Sequence, residues 1–170
     1  LIKSLMEKSV GRIGVVYPTF EEYPHRLRQE DIVAFVPDNR DLQYSADNLM
    51  DYFGSQDIQS LLLINPDNPS GNFITMPGLQ KLLAWSRQRH IRLIIDESFV
   101  DFSDDFEHNT LLRNETLSAN PQLVVIKSIS KSYGVPGLRL GILASADVEL
   151  IKWMKKDIAI WNINSFAEFY

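Results

Sequence analysis

The sequence lacks cysteine, which excludes disulfide bonds and cysteine-ligated metal sites. This absence fits a reducing compartment, and we expect a cytoplasmic protein. No apolar run is long enough to cross a bilayer, so no membrane partner is predicted. The net charge of -5 at pH 7 disfavours nucleic acid and anionic membranes as partners. The remaining composition, with 45% hydrophobic residues, is typical of a globular domain.

Two kinds of ligand site also lack their sequence patterns. The histidines are scattered with no metal-ligand spacing, so no metal site is predicted: His25, His90 and His108. No Gly-x-Gly-x-x-Gly pattern follows the first predicted strand, which disfavours an ordinary dinucleotide-binding domain.

Six short runs rich in β-formers predict strands at 13–17, 32–36, 61–65, 93–96, 123–127 and 140–144. Several of these runs are continuously apolar, which indicates strands that are buried on both faces. Helical patterns lie at 46–53, 75–90 and 147–156, and the first residues also resemble a helix. This alternation predicts an α/β fold of three layers, with a mostly parallel sheet between helices.

Polar or aromatic side chains follow four of the predicted strands at the point where each strand ends. The segments are PTF at 18–20, NPDNPSG at 65–71, DESF at 96–99 and KSISK at 127–131. In open α/β sheets, ligands bind outside the carboxyl ends of the strands, so we expect these segments to share one site.

The residue types in and after these segments match the parts of a cofactor site. Lys131 offers an amine nucleophile, and Asp96 offers a carboxylate at the rim of a buried strand. Arg139 can form a phosphate-binding fork with Ser128 and Ser130. Each residue alone also has a structural alternative, such as a surface lysine, a helix cap or a salt bridge. Together they match pyridoxal phosphate, which needs a lysine Schiff base and a partner for its ring nitrogen.

Three motifs carry a resemblance to a known family: NPDNPSG, IIDESFVDF and SISKSYGVPGLRLG. They are similar to the signature blocks of fold-type-I pyridoxal-phosphate enzymes, the class I and II aminotransferases. The branch that they most resemble contains histidinol-phosphate aminotransferase and threonine-phosphate decarboxylase. The similarity runs in the family's order through nearly the whole chain.

The resemblance implies a role for each site residue. Lys131 would form the Schiff base and move the proton at the substrate α-carbon, while Asp96 would pair with the protonated ring nitrogen. Asn68 would bond the ring 3-oxygen, and Phe20 would stack on the ring face. The cofactor phosphate would be bound by Ser128, Ser130 and Arg139.

The resemblance implies an aminotransferase that moves an amino group between a small amino acid, which can be phosphorylated, and a 2-oxo acid. The alternative is a decarboxylase of a phosphorylated amino acid, and a further alternative is a catalytically silent binding domain. Family members are longer, so residues 1–170 are expected to be an incomplete large domain without the amino-terminal segment and the carboxy-terminal small domain. On its own this piece is expected to be nearly inactive, and the full-length protein is expected to be a homodimer.

Several other residues are expected to be structural. Glu97 and Asp101 are assigned structural or solvated positions, and 101–109 is predicted to be an exposed acidic loop. Tyr23 and Tyr133 could approach the site, but nothing in the sequence assigns a role to either of them. The tryptophans are predicted to pack in the interior: Trp85, Trp153 and Trp161.

Phe99 generates the first prediction, because many family members have a tyrosine there whose hydroxyl also bonds the ring 3-oxygen. Phenylalanine is more typical of the members that resemble threonine-phosphate decarboxylase, and it cannot donate a hydrogen bond. Only Asn68 is then left to donate a hydrogen bond to the ring 3-oxygen. The pKa of the Schiff base should therefore be higher than in relatives that have a tyrosine at this position. We expect Phe99→Tyr to lower the midpoint of the absorbance titration of the bound cofactor. An unchanged midpoint would contradict this interpretation.

Overall fold

The computed structural model describes residues 1–169. Its sheet has six strands: β1 (Ile13–Val16), β2 (Ile32–Phe35), β3 (Ser60–Ile64), β4 (Arg92–Asp96), β5 (Leu123–Ser128) and β6 (Gly141–Ala144). Their spatial order is β2-β1-β3-β4-β5-β6. All neighbouring strands are parallel except the edge pair β5 and β6, which is antiparallel. The predicted mostly parallel sheet is therefore confirmed, with strand ends within a residue or so of those predicted.

The helices are α1 (Ile2–Lys8), α2 (Glu22–His25), α3 (Ala46–Gly54), α4 (Met76–Gln88), α5 (Phe106–Asn109), α6 (Asn114–Ala119), α7 (Ile129–Ser132), α8 (Val148–Asp157) and α9 (Ser165–Phe169). Short 3-10 turns lie at Gln29–Asp31, Val100–Phe102 and Pro136–Leu138. Helix starts follow the expected capping chemistry, since Ser45 accepts from the Asn48 amide and Asp147 from the Leu150 amide. No helix within residues 1–169 is long and apolar enough to cross a membrane.

Alternate side chains of the central strands enter two separate cores. In β3, Leu61 and Leu63 pack with residues of α3 and α4 on one face of the sheet. Leu62 and Ile64 pack on the other face with residues of α1, α2 and α8. All four side chains are at most 4% exposed, which confirms the three-layer arrangement with a sheet buried on both faces.

The expectation that Trp161 packs in the interior is wrong. Trp161 is 91% exposed and belongs to neither core, whereas Trp85 and Trp153 pack against the cores. Trp161 lies between α8 and α9, where no helical or strand periodicity indicates which side is buried.

The segment 101–109 is largely exposed, as predicted, but it is not only a loop because it contains the short helix α5. The Asp101 side chain at its start is mostly buried.

A mostly buried ion pair joins the segment after β4 to the end of β5. Lys127 Nζ donates to Asp101 Oδ1 at 2.5 Å, and the two side chains are only 13% and 18% exposed. The other Asp101 oxygen accepts from the hydroxyl of Ser132, the last residue of α7. A single carboxylate therefore connects three chain segments beside Lys131.

These contacts lower the pKa of Asp101. Burial by itself raises this pKa, but the hydrogen bonds from Lys127 and Ser132 and the positive charge of Lys127 outweigh burial. A carboxyl group with a lowered pKa in the folded state stabilises the fold at pH values above its unfolded pKa of 3.8. The stabilisation is lost as the pH falls through the folded-state pKa.

The Asp101→Asn change should therefore lower the free energy of unfolding at neutral pH, by about 1 to 3 kcal/mol, since the mostly buried Lys127 charge loses its partner. The difference from the unmodified chain should shrink as the pH falls below 3.8. Urea unfolding at a series of pH values measures both quantities. Asp104→Asn is the control, because Asp104 is exposed and forms no ion pair with any described residue. A difference that stays constant down to acid pH would contradict the assignment.

Candidate functional site

The carboxyl ends of β1, β3, β4 and β5 open onto one cleft with a volume of about 570 Å³. This volume lies within the range that is usual for small-molecule and cofactor sites. All the residues that the sequence nominates for the site line this cleft: Phe20, Asn68, Asp96, Phe99, Ser128, Ser130, Lys131 and Arg139. The sheet thus brings together residues that are widely separated in the sequence.

Asp96 is the last residue of β4 and is only 6% exposed. Its Oδ1 accepts from the Ser98 backbone amide at 2.8 Å and from the Ser98 hydroxyl at 2.5 Å. Its Oδ2 accepts from the Tyr23 hydroxyl at 2.5 Å. An ionised carboxyl group is an acceptor only, so these three donors match the charged form.

This buried carboxylate has no cation beside it among the described residues. None of the lysine, arginine or histidine ion pairs within residues 1–169 involves Asp96. Burial of a charge is costly unless the charge is paired, and the open side of Asp96 faces the cleft. The site is therefore suited to a ligand that places a cationic group beside Asp96.

Lys131 lies in α7, directly beyond the end of β5. Its amine is 5.6 Å from the centre of the Phe99 ring, and it forms no ion pair with any residue of the described part of the chain. The position of α7 is fixed at both ends. The Ser128 amide donates to the Ser98 hydroxyl at 2.9 Å before the helix, and Ser132 bonds Asp101 at its end.

The three side chains expected to bind phosphate lie on different elements: Ser128 ends β5, Ser130 lies in α7, and Arg139 follows the 3-10 turn after α7. Ser130 is 5% exposed, and its hydroxyl makes one long contact of 3.4 Å to the Leu140 carbonyl. Arg139 donates to the Pro136 carbonyl at 3.2 Å and otherwise faces the cleft, with no ion pair in residues 1–169. Its backbone is left-handed, at φ 54°, which is uncommon for a residue with a side chain.

Asn68 stands on a turn that side chains hold rigidly in place. The Asn65 side chain bonds both the amide and the carbonyl of Ile74, at 2.8 and 3.0 Å. The Asn72 side chain bonds the amide and the carbonyl of Tyr44 in the same way, at 3.4 and 3.0 Å. The turn residues of NPDNPSG therefore do more than reverse the chain, because they anchor the segment that places Asn68 at the cleft.

Glu97, next to Asp96, has the structural role expected of it. It is 1% exposed, and its oxygens accept from the Leu111 amide at 2.6 Å and the Thr110 hydroxyl at 2.8 Å. Burial raises the pKa of this carboxyl group, although the two hydrogen bonds oppose the shift. The two neighbouring carboxyl groups thus differ in function, since Asp96 faces the cleft and Glu97 holds the chain at 110–111.

Tyr23 and Ser98 are the residues at Asp96 that sequence reasoning missed. Tyr23 packs edge-on against Phe20, with ring centres 6.1 Å apart and planes at 82°. The motif PTFEEY places these two aromatics three residues apart, which is a weak signal that both face one side. Nothing in the sequence links Tyr23 to a carboxylate 73 positions away.

The donor set of the cleft fits pyridoxal phosphate. It offers an amine, a buried carboxylate that lacks a cation, two hydroxyls with a guanidinium, an amide and an aromatic ring. These groups correspond to the aldehyde, ring nitrogen, phosphate, ring oxygen and ring face of that cofactor.

Comparison with curated proteins finds relatives with two kinds of activity. The chain is 31% identical to L-serine phosphate decarboxylase from Sulfurospirillum multivorans, over 97% of this chain and 42% of that protein. It is 32% identical to threonine-phosphate decarboxylase from Salmonella typhimurium, over 92% and 42%. It is also 34% identical to histidinol-phosphate aminotransferase from Blochmanniella pennsylvanica, over 64% and 28%. The chain therefore spans less than half the length of these relatives.

Solved structures share the fold. A decarboxylase from Sulfurospirillum multivorans matches with a TM-score of 0.81 at 29% identity, over 99% of this chain and 48% of that chain. Histidinol-phosphate aminotransferase from Clostridium acetobutylicum matches with a TM-score of 0.83 at 22% identity, over 98% and 48%. The Sinorhizobium meliloti enzyme of that name, solved in complex with pyridoxal-5'-phosphate, matches with a TM-score of 0.69 at 19% identity, over 91% and 42%.

The match to a family model decides the assignment. The model for aminotransferase class I and II covers residues 5–168, which is nearly the whole chain. Membership of this family indicates pyridoxal phosphate as the cofactor. The chain belongs to the class I and II aminotransferase family.

Proposed function

We propose that this chain forms the cofactor-binding part of a pyridoxal-phosphate-dependent decarboxylase that acts on a phosphorylated amino acid. The proposal is supported by two decarboxylase relatives that match over 97% and 92% of the chain. It reverses the order suggested by the sequence, in which the aminotransferase came first. Because the chain spans less than half of these relatives, the activity is proposed for a longer protein that contains it.

One observation carries the proposal for the cofactor: the Lys131 amine and the buried Asp96 carboxylate line the same cleft, and neither has an ion-pair partner within residues 1–169. Lys131 Nζ would be the nucleophile for the cofactor's carbonyl carbon. Asp96 would hold the proton on the ring nitrogen. Asn68 would donate to the ring oxygen, and Phe20 would cover one face of the ring. Ser128, Ser130 and Arg139 would bind the cofactor phosphate.

These positions suit the loss of carbon dioxide from an amino acid. When bound, pyridoxal phosphate supplies an electron sink for the electron pair left on the substrate α-carbon. Asp96 supports this sink, because its negative charge keeps the ring nitrogen protonated. Lys131 is the residue that then delivers a proton to the α-carbon in place of the lost carboxylate. The phosphate of the substrate needs a cationic site, to which no residue of this chain is assigned.

The second candidate is an aminotransferase, favoured by the relative that is 34% identical over 64% of the chain. In that reaction Lys131 would remove the proton from the substrate α-carbon, so the same residue would move a proton at that carbon in both schemes. The two reactions differ in which bond of the α-carbon is broken. A silent binding domain is disfavoured, since the nucleophile, the carboxylate and the phosphate-binding residues are all present.

Cofactor attachment generates a prediction that this chain can test alone. Lys131→Arg keeps the positive charge but removes the nucleophile, so it should abolish the covalent attachment of pyridoxal phosphate after borohydride reduction. Lys127→Arg is the matched control, because Lys127 lines the same cleft but is paired with Asp101. Mass spectrometry of the reduced protein locates the label. Attachment that survives in Lys131→Arg at the unmodified level would overturn the assignment of the nucleophile.

The reaction itself is tested on a protein of the relatives' full length that carries this chain. We expect it to release carbon dioxide from O-phospho-L-serine or O-phospho-L-threonine, and Lys131→Arg should reduce the rate at least 1,000-fold, roughly the loss seen on removing a catalytic group. Amino-group transfer from histidinol phosphate to 2-oxoglutarate is measured in parallel. Transfer without carbon dioxide release would replace the first candidate with the second.

A further inference from the structure

The hydroxyl of Tyr23 approaches Asp96 from behind the cleft. Tyr23 lies in α2, is fully buried, and belongs to the core between the sheet and helices α1, α2 and α8. It does not line the cleft, so it does not reach the ligand itself. Its hydroxyl donates to Asp96 Oδ2 at 2.5 Å, which is the length of a charge-assisted hydrogen bond.

The direction of this hydrogen bond is fixed by the chemistry of both partners. Burial raises the pKa of Tyr23, and the negative charge of Asp96 raises it further, so the phenol keeps its proton. Tyr23 is therefore always the donor and Asp96 always the acceptor. Ser98 adds two more donors on the other oxygen, at 2.8 and 2.5 Å.

These donors influence where the proton lies when Asp96 shares it with a basic nitrogen of a ligand in the cleft. In a buried site, such a proton can lie on the nitrogen, which leaves an ion pair, or on Asp96, which leaves two neutral groups. A hydroxyl donor bonds a charged carboxylate more strongly than a neutral carboxyl group. The Tyr23 hydroxyl therefore favours the arrangement in which Asp96 is charged and the nitrogen carries the proton.

We infer that Tyr23 is a positioning residue that keeps the proton on the ring nitrogen of the cofactor by holding Asp96 as an oriented carboxylate. The inference rests on the proposed function, because it requires pyridoxal phosphate in the cleft. Tyr23 acts without touching the cofactor, and its contribution is made from the core side of the sheet.

The experiment is a nitrogen-15 NMR measurement on the chain loaded with pyridoxal phosphate that is labelled at the ring nitrogen. The chemical shift of that nitrogen distinguishes its protonated form from its unprotonated form. In the unmodified chain we expect the shift of the protonated form. In Tyr23→Phe we expect the ratio of protonated to unprotonated nitrogen to fall about tenfold, which is the difference between bonding a charged and a neutral partner.

Two further variants separate this role from packing. Tyr52→Phe removes a phenol hydroxyl that donates at 2.7 Å to the Ala34 carbonyl, away from the cleft, and should leave the shift unchanged. Ser98→Ala removes one donor to Asp96 Oδ1 and should move the shift in the same direction as Tyr23→Phe. If Tyr23→Phe does not hold the cofactor, Ser98→Ala decides by the same criterion.

Each outcome supports or overturns the inference. A wild-type shift in Tyr23→Phe would show that the Tyr23 hydroxyl serves packing alone. Where Ser98→Ala decides, a wild-type shift would show that the donors to Asp96 do not set the position of the proton, which also overturns the inference. A protein of the relatives' full length that contains this chain but carries no borohydride-stable label on Lys131 would overturn the proposed function and the inference together. A labelled chain whose shift is insensitive to Tyr23 would overturn the inference only.

Discussion

The carboxylate of Asp96 is the feature on which the site depends. It lies at the end of a central strand, is 6% exposed, and receives three hydrogen bonds from neutral donors. Among residues 1–169 it has no ion-pair partner, so the fold carries an electrostatic cost that a cationic ligand removes. The neighbouring strands and the segments after them place an amine, two hydroxyls and a guanidinium around the same opening, and these groups limit which ligands fit there.

Lys127 and Lys131 are only four positions apart, but the fold gives them different surroundings. Lys127 is mostly buried and bonded to Asp101, whereas Lys131 is exposed and has no ion pair among the described residues. The difference arises where β5 gives way to α7, since the first lysine still belongs to the strand and the second to the helical turn. Asp101 therefore neutralises the amine of Lys127 and, through the Ser132 hydroxyl, holds the helix that carries Lys131.

The sequence was informative where an apolar run ends abruptly in a polar residue. Runs such as RLIID and LVVIKS give both the buried strands and the groups at their tips, and a parallel sheet then brings those tips to one edge. The contacts of Tyr23 with Asp96 could not be predicted in this way, because they depend on how α2 packs against a strand that is distant in the sequence. Trp161 was assigned to the interior wrongly, since composition alone does not show which residues outside regular elements are covered.

The location of Tyr23 connects the packing of one helical layer with the carboxylate of the cleft. The Tyr23 ring packs with the side chains that hold α1 and α8 against the sheet. Its hydroxyl donates a hydrogen bond to Asp96, the carboxylate that lines the cleft. With pyridoxal phosphate in the cleft as proposed, a disturbance in that helical layer would change the hydrogen bond on Asp96 and, through it, the absorption of the cofactor. The colour of the protein would then report how well this layer of helices is packed.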